Sequence, residues 1–383
     1  MVIPLASPDE LSLYFHIPFC KRKCDYCHFY VIPDKEEYKN LLMEALKKEW
    51  FFRLPHIRNR KLSTIYFGGG TPALFGPERI AELLSLVDNS FPLNEKIEIT
   101  IEANPEDVTE ELMTGYRKAG INRVSIGVQS FDDSELSVLT RRHDANKALS
   151  AVHHTYAAGI VNISIDLMYD LPNQSLALWE KTLTKVEGLP ISHLSLYNLT
   201  IEEHTVFYKN RDKLSKSMPN EETGLEMYTK AGTMLESIGL KQYEISAFAK
   251  DGFYSKHNTG YWLGRPFLGF GPSSYSYWEG QRFQNIPHLN KYVEKLNTNE
   301  SPALASDGLS HEERRRELFV VAMRLTTGVD LNEFTLHHGR LDENTYSMLS
   351  RLLEDGLLSK EQDRYRLTER GKNLYNYVAS ELI

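Results

Sequence analysis

Short apolar runs alternate with segments of helical period over the first two-thirds of the chain. The run at 11–17 reads as a strand that stops at Pro18. Residues 36–52 carry helical periodicity, with Leu41, Leu42, Ala45 and Trp50 as the inward positions. Residues 63–67 are the next predicted strand, closed by Gly68-Gly69-Gly70-Thr71-Pro72, and 77–87 the next helix, with Pro77 in its first turn. Residues 96–102 alternate as a third strand. A helix over 109–119 follows, with Thr109 suited to its start and Gly120 to its stop. Strands at 123–128, 161–166 and 193–197, and helices at 132–139, 145–158, 176–186 and 221–238, continue the series.

Six strands alternating with helices predict a parallel sheet built from βαβ units. Right-handed crossovers would curl such units into an open barrel. The expected fold class is therefore α/β: an open six-unit (β/α) partial TIM-type barrel over 1–239. The pattern then changes. Residues 243–280 are dense in aromatics and glycine without a helical period, which predicts short strands and loops beside the barrel mouth, in a segment spanning 240–305. Helices at 309–326, 344–356 and 369–382, with a hairpin over 357–368, predict a small C-terminal α+β region over 306–383 with a winged-helix-like module.

Charge narrows the reading. The net charge of −8 disfavours nonspecific nucleic-acid binding, so the winged-helix pattern does not imply a DNA partner. Arg314-Arg315-Arg316 reads as a solvated helix face, or as a partner for propionates or anionic lipid. No apolar run is long enough to cross a membrane, and residues 1–10 lack the basic and apolar regions of a signal peptide. Clustered thiols without a secretory signal predict a cytoplasmic protein.

All three cysteines, Cys20, Cys24 and Cys27, lie within eight positions directly after the first strand. Three thiolates in one loop can hold three irons of a 4Fe–4S cluster, which normally takes four, and leave one iron open. Zinc held by the three thiolates plus His28 or His16 is an alternative, as is a set of free thiols. Each predicted strand also ends in a polar group: the cysteine loop, Gly68–Gly69–Gly70–Thr71, Glu102, Gln129, Asp166 and Asn198. In α/β barrels these ends converge on one site. Isolated capping residues would look the same individually, but six at equivalent positions favour a site. The glycine run serves either a tight turn or close backbone approach by a ligand, and it lacks the phosphate-loop spacing.

Cys-x3-Cys-x2-Cys after the first strand of a six-unit barrel resembles the radical S-adenosylmethionine superfamily. Tyr14-x-His16-Ile-Pro-Phe-Cys20, Gly68-Gly-Gly-Thr-Pro72, Ile101-Glu-Ala-Asn-Pro105, Gly127-Val-Gln-Ser-Phe131 and Ile165-Asp-Leu-Met-Tyr-Asp-Leu-Pro172 resemble its oxygen-independent coproporphyrinogen oxidase family. That resemblance runs from about Leu11 to the C-terminus. Three features favour its heme-chaperone branch over its dehydrogenases. The dehydrogenases carry a further cysteine in a C-x-C ending, whereas Cys27 is followed by His28-Phe29, and they have a longer extension than the 19 residues preceding Cys20. The chaperone branch is marked by H-N-x-x-Y-W, and this chain has His257-Asn258-Thr-Gly-Tyr261-Trp262.

The resemblance implies a 4Fe–4S cluster on Cys20, Cys24 and Cys27, and S-adenosylmethionine contacted by Tyr14, Tyr26, Gly69, Gly70, Thr71, Glu102, Gln129, Arg141 and Asp166. Arg142 adjoins Arg141 and is the neighbouring choice. It implies heme near His257, Asn258, Tyr261 and Trp262, where an imidazole can bind iron and aromatic rings can pack on a porphyrin. A turn cap and core filling is the plainer reading of those four. The implied function is delivery of heme to a hemoprotein of the respiratory chain, with a homodimer or peripheral membrane contact as further expectations. The alternative is oxidative decarboxylation of coproporphyrinogen. His153, His154, His204, His337 and His338 are read as surface or capped residues.

Overall fold

The computed structural model describes residue 7 and residues 9–304 and 308–383. Residues 1–6, which bear on the signal-peptide reading, and the expected 305/306 boundary lie outside the described residues. The six predicted strands form in order: β1 (Glu10–Ile17), β2 (Lys61–Gly69), β3 (Glu98–Ala103), β4 (Arg123–Gln129), β5 (Asn162–Tyr169) and β6 (His193–Asn198). Neighbours pair in parallel in sequence order, as helical crossovers require. Helices Glu36–Ile57, Pro77–Asp88, Glu110–Ala119, Ala145–Ala157 and Leu176–Thr184 supply those crossovers.

Local chemistry places the helix ends. The Thr109 hydroxyl accepts from Leu112 N, and Asp132, Asp144 and Ser175 cap the next helices in the same way. On β1 the odd positions Leu11, Leu13, Phe15 and Ile17 enter the main hydrophobic core with Leu46 and Trp50. Phe15 stacks on Phe67 at 5.2 Å and on Phe270 at 5.0 Å, tying three strands together. Full burial of such a side chain contributes about 1.5–3 kcal/mol. The even positions Tyr14 and His16 face the concave side, where the glycines of β2 lie.

The aromatic segment differs from its expectation. It does not merely pack beside the mouth: it extends the barrel sheet at both edges. β7 (Lys241–Glu244) and β8 (Ala247–Ala249) add antiparallel strands beyond β6. β9 (Phe267–Phe270) pairs in parallel with β1, and β10 (Tyr275–Trp278) and β11 (Gln281–Gln284) continue as a meander. The segment also holds a helix, Lys256–Trp262, capped by Ser255 Oγ. Seven residues are too few to display a period, so the pattern could not announce it.

The C-terminal region has its own core, which includes Phe319, Phe334, Leu349, Leu352 and Val378. It contains helices His311–Ala322, Leu331–His338 and Glu343–Glu354 and a three-stranded antiparallel sheet. The single helix expected over 369–382 is two, Glu369–Asn373 and Tyr375–Leu382, breaking at Leu374. Arg324 joins this region to the barrel: its guanidinium lies 3.3 Å from Glu244 Oε2 and 4.4 Å from the centre of the Trp262 ring. No helix among the described residues is long and apolar enough to cross a membrane.

Candidate functional site

The cysteine loop leaves β1 and is pinned to the mouth by backbone. Phe19–Cys20 pairs in parallel with Ile32–Pro33. Gly70 N donates to Ile17 O at 3.0 Å, and Thr71 N to Phe19 O at 2.7 Å. A Cβ on Gly70 would sit 2.7 Å from Phe19 O and 2.8 Å from Pro18 C, both backbone atoms. The missing side chain is therefore space used by the cysteine loop itself. Gly69 holds φ +121°, and a Cβ there would meet the His16 ring. On the far side, Asp25 N donates to Thr140 Oγ1 at 3.0 Å and Phe207 N donates to Asp25 O at 3.0 Å.

A string of side chains links two of the thiols. Cys20 Sγ lies 3.5 Å from Thr71 Oγ1, which accepts from Asn104 Nδ2 at 2.7 Å. Asn104 Oδ1 accepts from Arg141 Nη2 at 2.7 Å, and Arg141 Nη1 donates to Cys24 Sγ at 3.7 Å. Arg141 also donates to Gly127 O at 2.7 Å. Burial opposes its charge, but Tyr26, Cys24 and Glu106 favour it, so the guanidinium stays cationic. Burial pushes the Cys20 thiol up to about 11, against the Thr71 hydroxyl and the Arg141 charge. Asn104 was not singled out from sequence. Its signal was its place two residues after Glu102, at the end of β3.

Glu102 sits at the centre of the barrel end. Tyr66 Oη donates to Glu102 Oε1 at 2.8 Å, and Gly69 N to Oε2 at 3.1 Å. Burial pushes its carboxyl up to about 7, with the Asp166 charge adding to the rise. Asp166 accepts from Ser125 Oγ at 3.3 Å, and burial raises it to about 6 against the Ser195 hydroxyl and Arg123. Gln129 takes a left-handed φ of 69° where β4 loses register. Its Nε2 would be 3.1 Å from a Cβ on Gly127, against 3.5 Å for Arg141 Nη2, so both side chains crowd that glycine. Tyr26 is partly buried, its ring 6.2 Å from that of Phe207 and packed on a small cluster that includes Leu139, within the field of Arg141. The structure thus brings Tyr14, Tyr26, Gly69, Gly70, Thr71, Glu102, Gln129, Arg141 and Asp166 to one end of the barrel. Asn198 points away: it is exposed and donates to Asp170 Oδ2 at 3.1 Å.

The HNxxYW segment divides. His257 is 1% exposed inside the barrel. Its Nδ1 lies 2.8 Å from Thr64 Oγ1, its Nε2 2.7 Å from Tyr261 Oη, and its backbone N donates to Glu98 at 2.9 Å. Burial lowers its pKa to about 3, so it is neutral with both ring nitrogens engaged. Asn258 contributes its backbone N–H to the Ser255 cap. Tyr261 and Trp262 instead face a cavity of about 510 Å³, on the concave side of β1 and β9–β11. That cavity is bounded by the end of the cysteine loop and by the His311–Ala322 helix. The rings of Phe267, Tyr261, His257, Tyr66 and Tyr14 form a column, with centroids 4.5–6.1 Å apart, from this cavity to the Glu102 site.

This fold and cysteine loop define a radical S-adenosylmethionine protein. Residues 14–186 match the model of the Radical SAM superfamily, and 309–374 that of the HemN C-terminal domain. The coproporphyrinogen III oxidase HemN of Escherichia coli shares the fold, with a TM-score of 0.85 at 23% identity over 97% of this chain and 89% of that one. The heme chaperone HemW of Bacillus subtilis is 35% identical over 96% of this chain and 97% of its own length. HemW of Haemophilus influenzae is 34% identical over 96% of each. The chain belongs to the HemW family of the radical SAM superfamily.

A 4Fe–4S cluster and S-adenosylmethionine are the cofactors that this membership implies, and the residues present fit them. Among the described residues, no three His, Cys, Asp or Glu side chains converge on a single metal ion. Arg141 Nε is buried without an acceptor among the described residues, a donor left over within the field of the Asp166 carboxylate. A zwitterionic amino acid presents the matching groups.

Proposed function

We propose that this protein is a heme chaperone: it binds heme and delivers it to hemoproteins of the respiratory chain, carrying a 4Fe–4S cluster and S-adenosylmethionine. The observation that carries this reading is the likeness over nearly the whole chain to relatives named for that activity. Cys20, Cys24 and Cys27 are the proposed cluster ligands. Bound together, the two cofactors would supply one-electron chemistry. Arg141 would hold the ligand carboxylate from Nε while bracing Cys24 from Nη1. Glu102 and Asp166 would accept hydrogen bonds, with Tyr66 and Gly69 fixing Glu102. Tyr14, Tyr26, Gly70, Thr71 and Gln129 would shape the remaining walls. Tyr261 and Trp262 would meet heme at the cavity, with His257 and Asn258 holding their helix in place.

The proposed division of labour follows three segments: 1–239 for the cofactors, 240–305 for heme, and 306–383 as a module closing the cavity. A cytoplasmic setting, a homodimer and a peripheral membrane contact belong to the same reading. The test is transfer: protein loaded with ferric heme is mixed with a heme-free respiratory hemoprotein. Heme appearing in the recipient faster than by spontaneous release supports the reading. Transfer no faster than release, with turnover of coproporphyrinogen instead, would replace it with the decarboxylase.

A further inference from the structure

The cavity beside the cysteine loop contains an imidazole that the fold does not use. Two histidines line it. His16 is 4% exposed and fully engaged, with Nδ1 3.2 Å from Tyr14 Oη and Nε2 3.1 Å from Tyr30 O. His28 is exposed, and neither of its ring nitrogens is in a hydrogen bond or ion pair among the described residues. Its ring stacks on Phe29 at 4.7 Å, and Phe29 is itself 53% exposed. Aromatic rings from three elements, Phe29, Tyr261 and Tyr275 among them, line the same space. Arg282 lies on its wall, half-exposed and paired with Glu317.

We propose that this cavity is the heme site and that His28, not His257, is the protein ligand to the iron; the proposal rests on the heme-chaperone reading. Iron takes a neutral imidazole nitrogen with a free lone pair. Neither ring nitrogen of His28 is committed to a partner among the described residues, whereas His257 has both committed and lies inside the barrel wall. The porphyrin is a flat apolar disc with two carboxylates on one edge. Aromatic walls suit the disc, and Arg282 suits a propionate by exchanging its surface partner. The volume of about 510 Å³ is within the range of about 300–1,000 Å³ of sites that enclose an organic ligand. Because His28 follows Cys27 directly, the heme iron and the cluster would sit on one loop.

The test is a titration with ferric heme of cluster-loaded wild type, His28→Ala, Arg282→Ala, His257→Ala and His153→Ala, with iron and sulfide content matched. Binding is read by the Soret band and by electron paramagnetic resonance of the ferric heme. Loss of the iron ligand in His28→Ala should weaken binding at least ~10-fold and change the resonance, and added imidazole should restore the wild-type signal. Arg282→Ala should weaken binding without changing the resonance, because it touches a propionate and not the iron. His153→Ala, an exposed helix position, should change neither. A His28→Ala protein with wild-type affinity and resonance would overturn the assignment while leaving heme binding intact, as would an equal effect of His153→Ala. Absence of saturable binding in wild type would instead remove the underlying reading.

Discussion

Arg141 Nη1 lies 3.7 Å from Cys24 Sγ, so a guanidinium carried after β4 braces a thiol carried after β1. Its Nη2 reaches both Asn104 Oδ1 and the Gly127 carbonyl, and through Thr71 the string returns to Cys20. Replacing Arg141 by Ala strands these acceptors in a buried place. The expected result is a loss of about 1–3 kcal/mol in stability and a fall in iron and sulfide per chain. Arg141→Lys should not restore the cluster, because one ammonium cannot serve three acceptors in a planar fork. Thermal melts and cluster analysis of both variants check this.

Gly70 separates a packing requirement from a flexible turn. Gly70→Ala forces a Cβ against the Phe19 carbonyl and Pro18, neither of which is the end of a movable side chain. Overpacking of this kind costs about 1–3 kcal/mol, and here it should displace the cysteine loop and lower cluster retention while the barrel stays folded. Gly232→Ala is the counterpart. Gly232 lies inside the Glu221–Ser237 helix, and an added Cβ meets nothing within 4 Å. That change should stabilise by about 0.4–1 kcal/mol. Melting curves of both variants, with iron content for the first, decide it.

Glu102 makes a pH-dependent contribution whose sign follows from its burial. Its carboxyl stands near 7 in the folded chain against an ordinary value of 4.5. The folded state therefore holds a proton that the unfolded chain has lost, and stability falls as pH rises from about 4 to about 7. The full effect is of order 3 kcal/mol. Glu102→Gln, which cannot ionise, should flatten that slope. Asp166, near 6, acts in the same direction over a narrower window. Denaturation midpoints measured from pH 4 to 8 for wild type and Glu102→Gln check the difference, and parallel curves would contradict it.

His257 should behave as a structural residue. His257→Ala leaves Thr64 Oγ1 and Tyr261 Oη without their shared partner, which costs about 1–3 kcal/mol. Its pKa near 3 lies below the ordinary value of 6.5, so its contribution is present above about 6.5 and is lost as pH falls toward 3. The variant should lose stability most at neutral pH and least under acid. Urea unfolding at pH 7 and pH 4 reads this directly.

The barrel was legible because its strands are continuous apolar runs and its helices carry both period and caps. The cysteine loop was legible because three thiols stood together, and Glu102 and Asp166 because strand ends in such barrels converge. Three features were not. Strands β9–β11 are four residues each, too short to show which sheet edge they join. Their pairing with β1 depends on contacts such as Phe15 with Phe270 that no local pattern encodes. The depth of His257 was hidden because its spacing to Tyr261 is the same whether the pair faces solvent or the barrel. Asn104 was hidden because its role is to connect Thr71 with Arg141, which lie 70 positions apart.

The central claim is that a cluster-bearing chain also holds heme. The most direct measurement is an anaerobic titration of cluster-loaded protein with ferric heme, followed optically and by iron and sulfide analysis. Saturation near one heme per chain with the cluster retained is the predicted result. No saturable heme binding, together with anaerobic conversion of coproporphyrinogen, would contradict the account and assign the chain to porphyrinogen chemistry.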